Sequence, residues 1–410
     1  MVSSTALILP SYISDEKVAQ DVKAKATVDI PLDEQVVNSI RRDLERLNWK
    51  FKLPTTKKTY PSLIPPEYYD KETIKKSMSF KRDEIIRKHR KWIDNNIEEA
   101  RKNLAKGCDV INSKIIPAIE VCNTEKQHKL FRMLRYYWSS PYSEYVGRRI
   151  KLIIRDNALP TRPIIGIAAL GSPIIHIPER DEFIGWDKKI RTSNLIYTLD
   201  AYVIGALPPY NYLLGGKLVS YILASNEVRD IYRKKYKGQI TLAEKRVANK
   251  LVGIFTTSLY GNSSQYNRIK FAEELLYKPI GQTKGYGSLH LSEETIQLMI
   301  KFLKSKGIEV GHKFGDGPSW VMRVIRTAGD LLGFNSDFLL QHSFRRNIYF
   351  IPHAENYKEF LNNQAKQPIF YDYPMKELVE YWKKRWLTNR KKNPDVIASI
   401  LDFDPADFII

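Results

Sequence analysis

The sequence predicts an α+β fold in which a mixed central sheet is flanked by helices. Short runs rich in β-branched residues, separated by turn residues, begin at Gly147 and recur through the middle of the chain. Segments with apolar residues at helical spacing precede these runs and alternate with them. This alternation favours one mixed core over an all-helical or an all-β protein.

Four regions are expected along the chain. Residues 1–66 form an N-terminal helix and an extended linker, 67–146 a basic helical region, 147–310 the α+β core, and 311–410 a small basic α+β region. In the first region, apolar residues recur at helical spacing before a proline-containing stretch breaks the pattern. These residues are Val36, Val37, Ile40, Leu44 and Leu47. In the second region we expect a helix over about 71–106 that Gly107 ends, and another across 124–138.

The core region begins with the β-branched runs GRRIKLIIRD and RPIIGIAALGSPIIHIP, which are typical of sheet strands. A third strand, AYVIGALPPY, leads into a helix that opens at Gly215 and Gly216. A fourth strand, LVGIFTTSLYG, comes before a glycine-rich loop, and the following helix has Ser292 as its expected N-terminal cap.

The composition excludes a mainly disordered chain and points to a polyanionic partner. Hydrophobic residues make up 43% of the 410 residues and aromatic residues 11%. Lys and Arg number 66 against 46 Asp and Glu, which gives a formal net charge of +20. Each phosphate that a basic side chain neutralises releases counterions, and this release favours binding. We therefore expect DNA as the partner, with RNA as the alternative.

Membrane insertion and disulfide formation are not expected. The chain has no run of 18 apolar residues, and its first residues lack the pattern of a secretory signal, so a cytoplasmic location is predicted. The two cysteines, Cys108 and Cys122, are too few for a disulfide framework or a four-thiolate metal site.

Several short motifs follow one another in the middle of the chain. They are RDEFIGWDKKIRTSNL from Arg180, TTSLYGNSSQYNRI from Thr256, GQTKGYG from Gly281 and QHSFRRNIYF from Gln341. In this order they resemble the family of the Druantia anti-phage protein DruA, over roughly residues 145–355. The resemblance implies a role in phage defence or in mobile genetic elements, with other proteins of such systems as partners.

The same block resembles a GNAT-type acyltransferase core, and in particular the phage DNA-modifying protein Mom. The resemblance implies a GNAT-like mixed sheet in which one strand leads into a loop of backbone amides at a helix start. An acyltransferase would carry Gln or Arg, two residues, Gly, one residue and Gly in that loop. This chain has Asn211 and the adjacent Gly215 and Gly216 instead. The departure argues against acetyl-coenzyme A as a cofactor.

The loop GQTKGYG is the leading candidate for an anion site. It offers the hydroxyl of Thr283, the charge of Lys284, and the backbone of Gly285 and Gly287, and such loops direct amides towards phosphates. The alternative interpretation is a tight turn between two elements. The paired guanidiniums of Arg345 and Arg346 also suit phosphate oxygens.

Acidic residues near the first motif are candidate metal ligands. Asp181 and Asp187 lie in an otherwise basic protein, and carboxylates beside phosphodiesters recruit Mg²⁺ for strand cleavage. The alternatives for Asp181 are an ion pair with a nearby arginine and a cap of the turn before Phe183. Asp200 is a third, weaker candidate.

Two further side chains are candidates for catalysis. The phenol of Tyr266 is a candidate nucleophile beside Arg268, and His290 is a candidate proton carrier at neutral pH. The alternatives for the tyrosine are a hydroxyl that hydrogen-bonds a base or a phosphate and a ring that packs in the core. The alternative for the histidine is an ordinary structural role.

The segment 383–392 combines basic residues with tryptophans. Lys383, Lys384 and Arg385 lie between Trp382 and Trp386, a combination that suits a nucleic-acid strand. The alternative is a solvated helix face with two tryptophans in the core.

These observations predict a protein that processes DNA at phosphodiesters, as a nuclease, nickase or transposase-like enzyme. The alternatives are a Mom-type transferase that modifies a nucleobase and a DNA-recognition subunit without catalysis. The expected catalytic residues are Asp181, Asp187, Tyr266 and His290, the first two as Mg²⁺ ligands. The expected nucleic-acid and phosphate ligands are Arg180, Trp186, Arg191, Asn194, Asn267, Arg268, Thr283, Lys284, Gly285, Gly287, Arg345, Arg346, Lys383, Lys384 and Arg385.

Overall fold

A seven-stranded mixed sheet forms the centre of the protein. The computed structural model describes residues 30–52, 62–67, 69–141, 147–240, 247, 249–311 and 318–410. The strands are β1 (Lys50–Lys52), β2 (Ser62–Ile64), β3 (Pro117–Val121), β4 (Arg149–Asp156), β5 (Ile164–Gly171), β6 (Thr198–Ala206), β7 (Gly253–Thr257), β8 (Lys270–Phe271), β9 (Glu274–Leu275), β10 (Lys278–Gln282) and β11 (Asn347–Pro352). The sheet order is β10-β11-β7-β6-β5-β4-β3, while β1-β2 and β8-β9 form small separate pairs.

Helices cover the sheet and build a separate N-terminal layer. They are α1 (Leu32–Glu45), α2 (Lys71–Lys88), α3 (Arg90–Lys102), α4 (Gly107–Ile111), α5 (Glu125–Arg135), α6 (Pro178–Ile184), α7 (Lys188–Asn194), α8 (Gly215–Leu223), α9 (Asn226–Lys235), α10 (Glu293–Ser305), α11 (Pro318–Leu331), α12 (Ser336–Leu340), α13 (Tyr357–Leu361), α14 (Met375–Trp382), α15 (Thr388–Arg390) and α16 (Pro394–Leu401). The predicted α+β class is therefore confirmed. Within the described ranges, no helix is both long enough and apolar enough to cross a membrane.

Among the strands of the sheet that the described residues form, one neighbouring pair is parallel. β6 runs parallel to β7 from Thr198 opposite Gly253 to Ala201 opposite Thr256, and every other pairing in the sheet is antiparallel. A parallel pair needs a crossover, which α8 and α9 supply. This arrangement places the start of α8 just after the carboxyl end of β6.

β6 and β7 separate after their fourth residue pair. The register of β6 against β5 shifts at this point, because Ala169 pairs with Val203 while Leu170 pairs with Ala201, which leaves Tyr202 in a bulge. Beyond the bulge, the indole of Trp138 lies against Gly205, where a Cβ atom would come within 2.4 Å of the ring. Glycine at this position allows the aromatic ring to lie directly on the strand.

The N-terminal helix packs against a helix from the middle of the chain. Val36, Ile40 and Leu44 on α1 are fully buried, as their helical spacing predicted, in one cluster with Met299 of α10. Asp43 of α1 accepts hydrogen bonds from the amide of Ser292 and the hydroxyl of Thr295, both at 2.6 Å. The predicted cap is confirmed, since Ser292 also accepts from the amide of Thr295.

Two local expectations differ from the structure. The helix expected over 71–106 is two helices, which separate at His89. Gly107 begins α4 and does not end the preceding helix, which stops at Lys102. The reason is close packing, because a Cβ atom on Gly107 would overlap the carbonyl oxygen of Ile400 on α16.

The central sheet draws strands from three of the four expected regions. β3 comes from region 67–146 and β11 from region 311–410, while the other five strands come from region 147–310. The sheet is therefore shared between these regions, and their division into domains stays a prediction.

Candidate functional site

Asp181 lies in a dense network of charged side chains at the start of α6. Its Oδ1 atom accepts from Arg180 at 2.7 Å, and its Oδ2 atom accepts from Arg191 at 2.8 Å. His176 Nδ1 is 3.2 Å from the same Oδ2. Asp181 and Arg180 are both buried, at 6% and 0% exposure. Both oxygens of this carboxylate are therefore engaged by guanidinium groups, which does not favour a role as a metal ligand.

The other residues of the first motif make structural contacts. The exposed carboxylate of Asp187 caps α7 by accepting from the amide of Ile190 at 2.7 Å. Trp186 and Asn194 both donate to the carbonyl oxygen of Leu361, at 2.8 and 2.7 Å. The motif thus fixes α6 and α7 against the segment after β11, and its nucleic-acid and Mg²⁺ roles stay predictions. Within the described part of the chain, no group of three or more His, Cys, Asp or Glu residues is arranged to hold a metal ion.

Asp200 is a buried carboxylic acid on β6. Its Oδ2 atom accepts from the amide of Ile174 at 3.0 Å, and its Oδ1 atom has no hydrogen-bond partner. Burial raises the pKa of Asp200 to about 6, while the hydrogen bond from the Ile174 amide and the charge of Arg180 act in the opposite direction. A carboxyl group that titrates near neutrality is suited to proton transfer.

Tyr266 belongs to the core beneath the sheet. It is 8% exposed and stacks on Tyr277 with ring centroids 5.1 Å apart. Tyr349 contacts it edge-on at 5.2 Å. Burial raises the pKa of Tyr266 above its usual range. A buried phenol that resists ionisation is poorly placed to attack a phosphodiester, and its catalytic role stays a prediction without structural support.

His290 is fully buried beside the N-terminal layer. Its Nε2 atom is 2.8 Å from the carbonyl oxygen of Leu339, and its ring lies 5.6 Å from that of His342, which is also fully buried. Burial lowers the pKa of His290 to about 4. The ring is therefore neutral at physiological pH and enclosed, which fits the structural interpretation better than proton transfer.

The glycine-rich loop packs against the segment that leads into β11. Thr283 forms two bonds with Arg346, one from its own amide to the Arg346 carbonyl and one from the Arg346 amide to its hydroxyl. The Gly287 amide donates to Leu340. The Gly285 carbonyl accepts from Ser343. These hydrogen bonds hold the turn of the glycine-rich loop against the segment before β11. The side chains of Lys284 and Arg345 are exposed to solvent.

Replacing Gly285 with Ala is expected to lower the free energy of unfolding by at least about 2 kcal/mol. Gly285 has a φ of +71°, and a Cβ atom there would lie 2.5 Å from the Phe344 amide nitrogen. Gly261→Ala is the matched control, because its φ is +70° and nothing lies within 4 Å of an added Cβ atom. The Gly261→Ala substitution should lower the free energy of unfolding by about 1 kcal/mol. Urea unfolding of both variants measures the difference, and equal losses would contradict close packing at Gly285.

Three basic residues from distant parts of the chain come together at the start of α8. Lys217, which is 7% exposed, lies in the first turn of this helix. Burial first, and then the charges of Arg268 and Arg385, lower its pKa to about 8. The Lys217 ammonium group donates to the carbonyl oxygens of Ser264 and Gln265. We call Lys217, Arg268 and Arg385 the cationic cluster.

An aromatic ring completes the cationic cluster. Trp386 lies 4.5 Å from the Lys217 ammonium group and 5.2 Å from the Arg385 guanidinium. The ring is half-buried and donates to the Tyr221 hydroxyl, whereas Trp382 is fully buried in the core. One tryptophan of the basic-aromatic segment is thus a core residue, and the other borders the cluster.

Three other predicted nucleic-acid ligands are close in sequence to members of the cationic cluster. Asn267 accepts from the hydroxyl of Tyr349 on β11, which holds the loop that carries Arg268. Lys384 is exposed, and Lys383 pairs with Glu380 on the preceding helical turn. The sequence interpretation missed Lys217, because an isolated lysine after two glycines has no signal of its own until the fold brings two arginines to it.

The family model described as Druantia protein DruA matches residues 69–363 of the chain. The chain belongs to the DruA family. A curated relative, the Druantia protein DruA of Escherichia coli (strain UMEA 4076-1), is 34% identical over 331 residues. The match covers 79% of this chain and 81% of that DruA protein. No solved structure gives a significant match to the chain. Membership in the DruA family is compatible with a role in anti-phage defence.

Proposed function

We propose that the protein binds nucleic acid, DNA in the first instance, for an anti-phage defence system, and that the cationic cluster contacts the phosphates. The observation that carries this proposal is the position of Lys217 and Arg385 at the Trp386 ring, 4.5 and 5.2 Å from its centroid. Arg268 is close enough that its charge also lowers the pKa of Lys217. The phosphates of a bound strand would offset the repulsion between the positive charges of the cationic cluster. Their neutralisation also releases counterions, which favours binding.

The geometry of the cluster suits a strand better than a single anion. Arg268 comes from the loop after β7, and Arg385 comes from the helical segment after α14. Both side chains are exposed and approach Lys217 from different elements. Trp386 adds a partly exposed aromatic ring next to the charges, and single-stranded nucleic acids use such rings to stack their bases.

Phosphodiester cleavage has less support than binding. Of the four expected catalytic residues, Tyr266 and His290 are buried in cores. Asp181 is paired with two arginines, and Asp187 caps a helix. We therefore place strand cleavage, with or without Mg²⁺, behind nucleic-acid binding.

A nucleobase-modifying activity is the second candidate function. One observation favours it, the buried Asp200 on β6 with its pKa of about 6 and an unpartnered oxygen. It lies one residue before the point where β6 and β7 separate. A general base at that position would suit proton removal from an exocyclic amine. Under this candidate, a mass shift in nucleosides digested from treated DNA is the expected result.

Replacing Arg268 and Arg385 with Gln is expected to weaken DNA binding by about tenfold or more. The slope of log Kobs against log salt should fall by about 0.9 for each lost duplex phosphate contact. Fluorescence anisotropy with labelled single- and double-stranded DNA at several salt concentrations measures both quantities. Lys188→Gln with Lys189→Gln is the matched control, since it removes two exposed charges from α7.

A variant of the buried lysine provides an independent test. Raising the pH from 7 to 9 should weaken binding by wild-type protein, because Lys217 loses its charge near pH 8. Lys217→Met should lack that pH dependence. Binding that is independent of salt, or equal losses in the α7 control and the arginine variant, would overturn the proposal. Nicks in the labelled DNA with Mg²⁺ would instead restore the cleavage hypothesis.

A further inference from the structure

The segment that carries Arg385 and Trp386 is a turn of π-helix. It covers Lys383–Leu387 and lies directly between α14 and α15. The Thr388 hydroxyl donates to the carbonyl oxygen of Lys383, five positions earlier, at 3.0 Å. Turns of π-helix are rare and occur frequently at functional sites. The unusual backbone is therefore found at the point where the C-terminal part of the chain reaches the cationic cluster.

Aromatic rings continue from Trp386 away from the cationic cluster. The Arg385 guanidinium lies 5.2 Å from the Trp386 ring and donates to the Tyr381 hydroxyl at 3.3 Å. The Tyr381 ring in turn contacts the ring of Phe271 on β8, with centroids 5.5 Å apart. All three aromatic side chains are partly exposed to solvent. We call Trp386, Tyr381 and Phe271 the aromatic row.

Tyr221 of α8 connects the members of the aromatic row from below. It is fully buried, and its ring lies 6.0 Å from that of Tyr381. Its hydroxyl accepts from the Trp386 indole at 3.4 Å and donates to the carbonyl oxygen of Lys270 at 2.9 Å. Because Lys270 directly precedes Phe271, one buried side chain positions both ends of the row. A ligand would therefore meet rings that are already in place, which lowers the entropy cost of binding.

The surface becomes acidic beyond Phe271. The Tyr373 ring contacts Phe271 at 5.3 Å and stacks on the Tyr371 ring at 4.9 Å. Burial first, and then the charges of neighbouring groups that include Glu274 and Glu355, raise the pKa of both tyrosines. These carboxylates would repel a phosphate chain. The aromatic row thus begins at a cationic end and stops before an acidic one.

We propose that a single strand of nucleic acid runs from the cationic cluster along the aromatic row and stacks its bases on Trp386, Tyr381 and Phe271. This path rests on the proposed function, because it begins at the same cluster, and it names an unpaired strand as the ligand. Every base has a π-face, so stacking on aromatic side chains tolerates any sequence. One base on each ring and a phosphate at the cluster correspond to a site of about four nucleotides.

Two strands with the same phosphates separate stacking from charge. One is a fluorescently labelled thymidine octamer, and the other has the same backbone and label but is abasic at every position. Fluorescence anisotropy at constant ionic strength measures both affinities. Wild-type protein should bind the thymidine octamer about tenfold more tightly or better, because the abasic strand has no bases to stack.

The decisive variant combines Phe271→Leu with Tyr381→Leu. Leucine keeps an apolar side chain against the core but removes the aromatic face. The variant should bind the thymidine octamer about tenfold more weakly or worse and the abasic strand about as well as wild type does. The matched control is Tyr371→Leu, which removes a partly exposed ring beyond the aromatic row and should match wild type with both strands.

Thermal unfolding verifies that each variant is folded before binding is compared. If the double variant does not fold, Phe271→Leu alone takes its place. That single variant should bind the thymidine octamer about fivefold more weakly or worse, since one stacked base is lost.

Failure of this inference and failure of the proposed function give different results. Equal affinities of wild-type protein for the two strands would overturn the stacking path and leave the phosphate contacts intact. A loss in Tyr371→Leu as large as that in the row variant would also overturn the path, since the strand would then cross the acidic end. Wild-type protein that binds neither strand would overturn the proposed function and this inference together.

Discussion

Asp181→Ala is expected to lower the free energy of unfolding by about 3–5 kcal/mol. The substitution would leave Arg180, which is 0% exposed, without its carboxylate partner, and would also remove the partner of Arg191. A buried charge without a counterion is costly because the low-dielectric interior does not replace its hydration. Urea unfolding of wild type and variant measures the loss.

The neighbouring residue supplies the control for this substitution. Glu182 lies on the same helix and is exposed, so Glu182→Ala should change the free energy of unfolding by no more than about 0.5 kcal/mol. If Asp181→Ala unfolds like wild type while it loses a DNA-dependent activity, the carboxylate acts on substrate, and the structural interpretation of the first motif is wrong.

Acid is expected to destabilise the protein steeply between about pH 6 and pH 4.5. Burial lowers the pKa of His290 to about 4 and that of His353 to about 3, and it lowers the pKa of His342 well below its usual range. As the pH falls below about 6.5, these rings take up protons in the unfolded chain but stay neutral in the folded one. The unfolded state then binds more protons, so the free energy of unfolding decreases as the pH falls.

The slope follows from the number of groups involved. Each histidine contributes up to about 1.4 kcal/mol per pH unit. Asp200 acts in the opposite direction, because its raised pKa lets the folded state bind a proton that the unfolded chain does not yet bind. Asp200 therefore cancels the effect of one histidine, and the other two remain. The free energy of unfolding should decrease by up to about 2.7 kcal/mol for each pH unit of acidification.

Urea unfolding at several pH values tests this slope. His353→Leu should reduce it by up to about 1.4 kcal/mol per pH unit, since one neutral ring is removed. The same slope in wild type and in His353→Leu would show that the His353 ring titrates normally in the folded protein.

Local patterns predicted much of the fold correctly. The strands β4 to β7 and the helix α8 follow runs of apolar residues and turn residues that the sequence displays directly. The cap at Ser292 also has a local signal, because a serine ahead of two acidic residues satisfies the first helical amides. The insertion of β11 between β7 and β10 has no local signal, since nearly 90 residues separate it from β7.

The candidate site was harder to predict than the fold. Tyr266 and His290 have reactive side chains, but their burial depends on packing partners that are distant in sequence, such as Tyr349 and Leu339. The ion pair between Asp181 and Arg180 was one of the local alternatives, because the two residues are adjacent. Lys217 becomes a candidate ligand only because Arg268 and Arg385 lie near it in the folded protein. These arginines are about 50 and 170 positions later in the sequence, and the sheet and the C-terminal helices bring them to Lys217.

The contact between Trp138 and Gly205 links the helical layer mechanically to the sheet. The indole rests on the half of β6 that has left β7, and it follows directly on the end of α5. A side chain at position 205 would therefore press on the indole and, through it, on the end of α5, so a change on the strand at this position also acts on the helix.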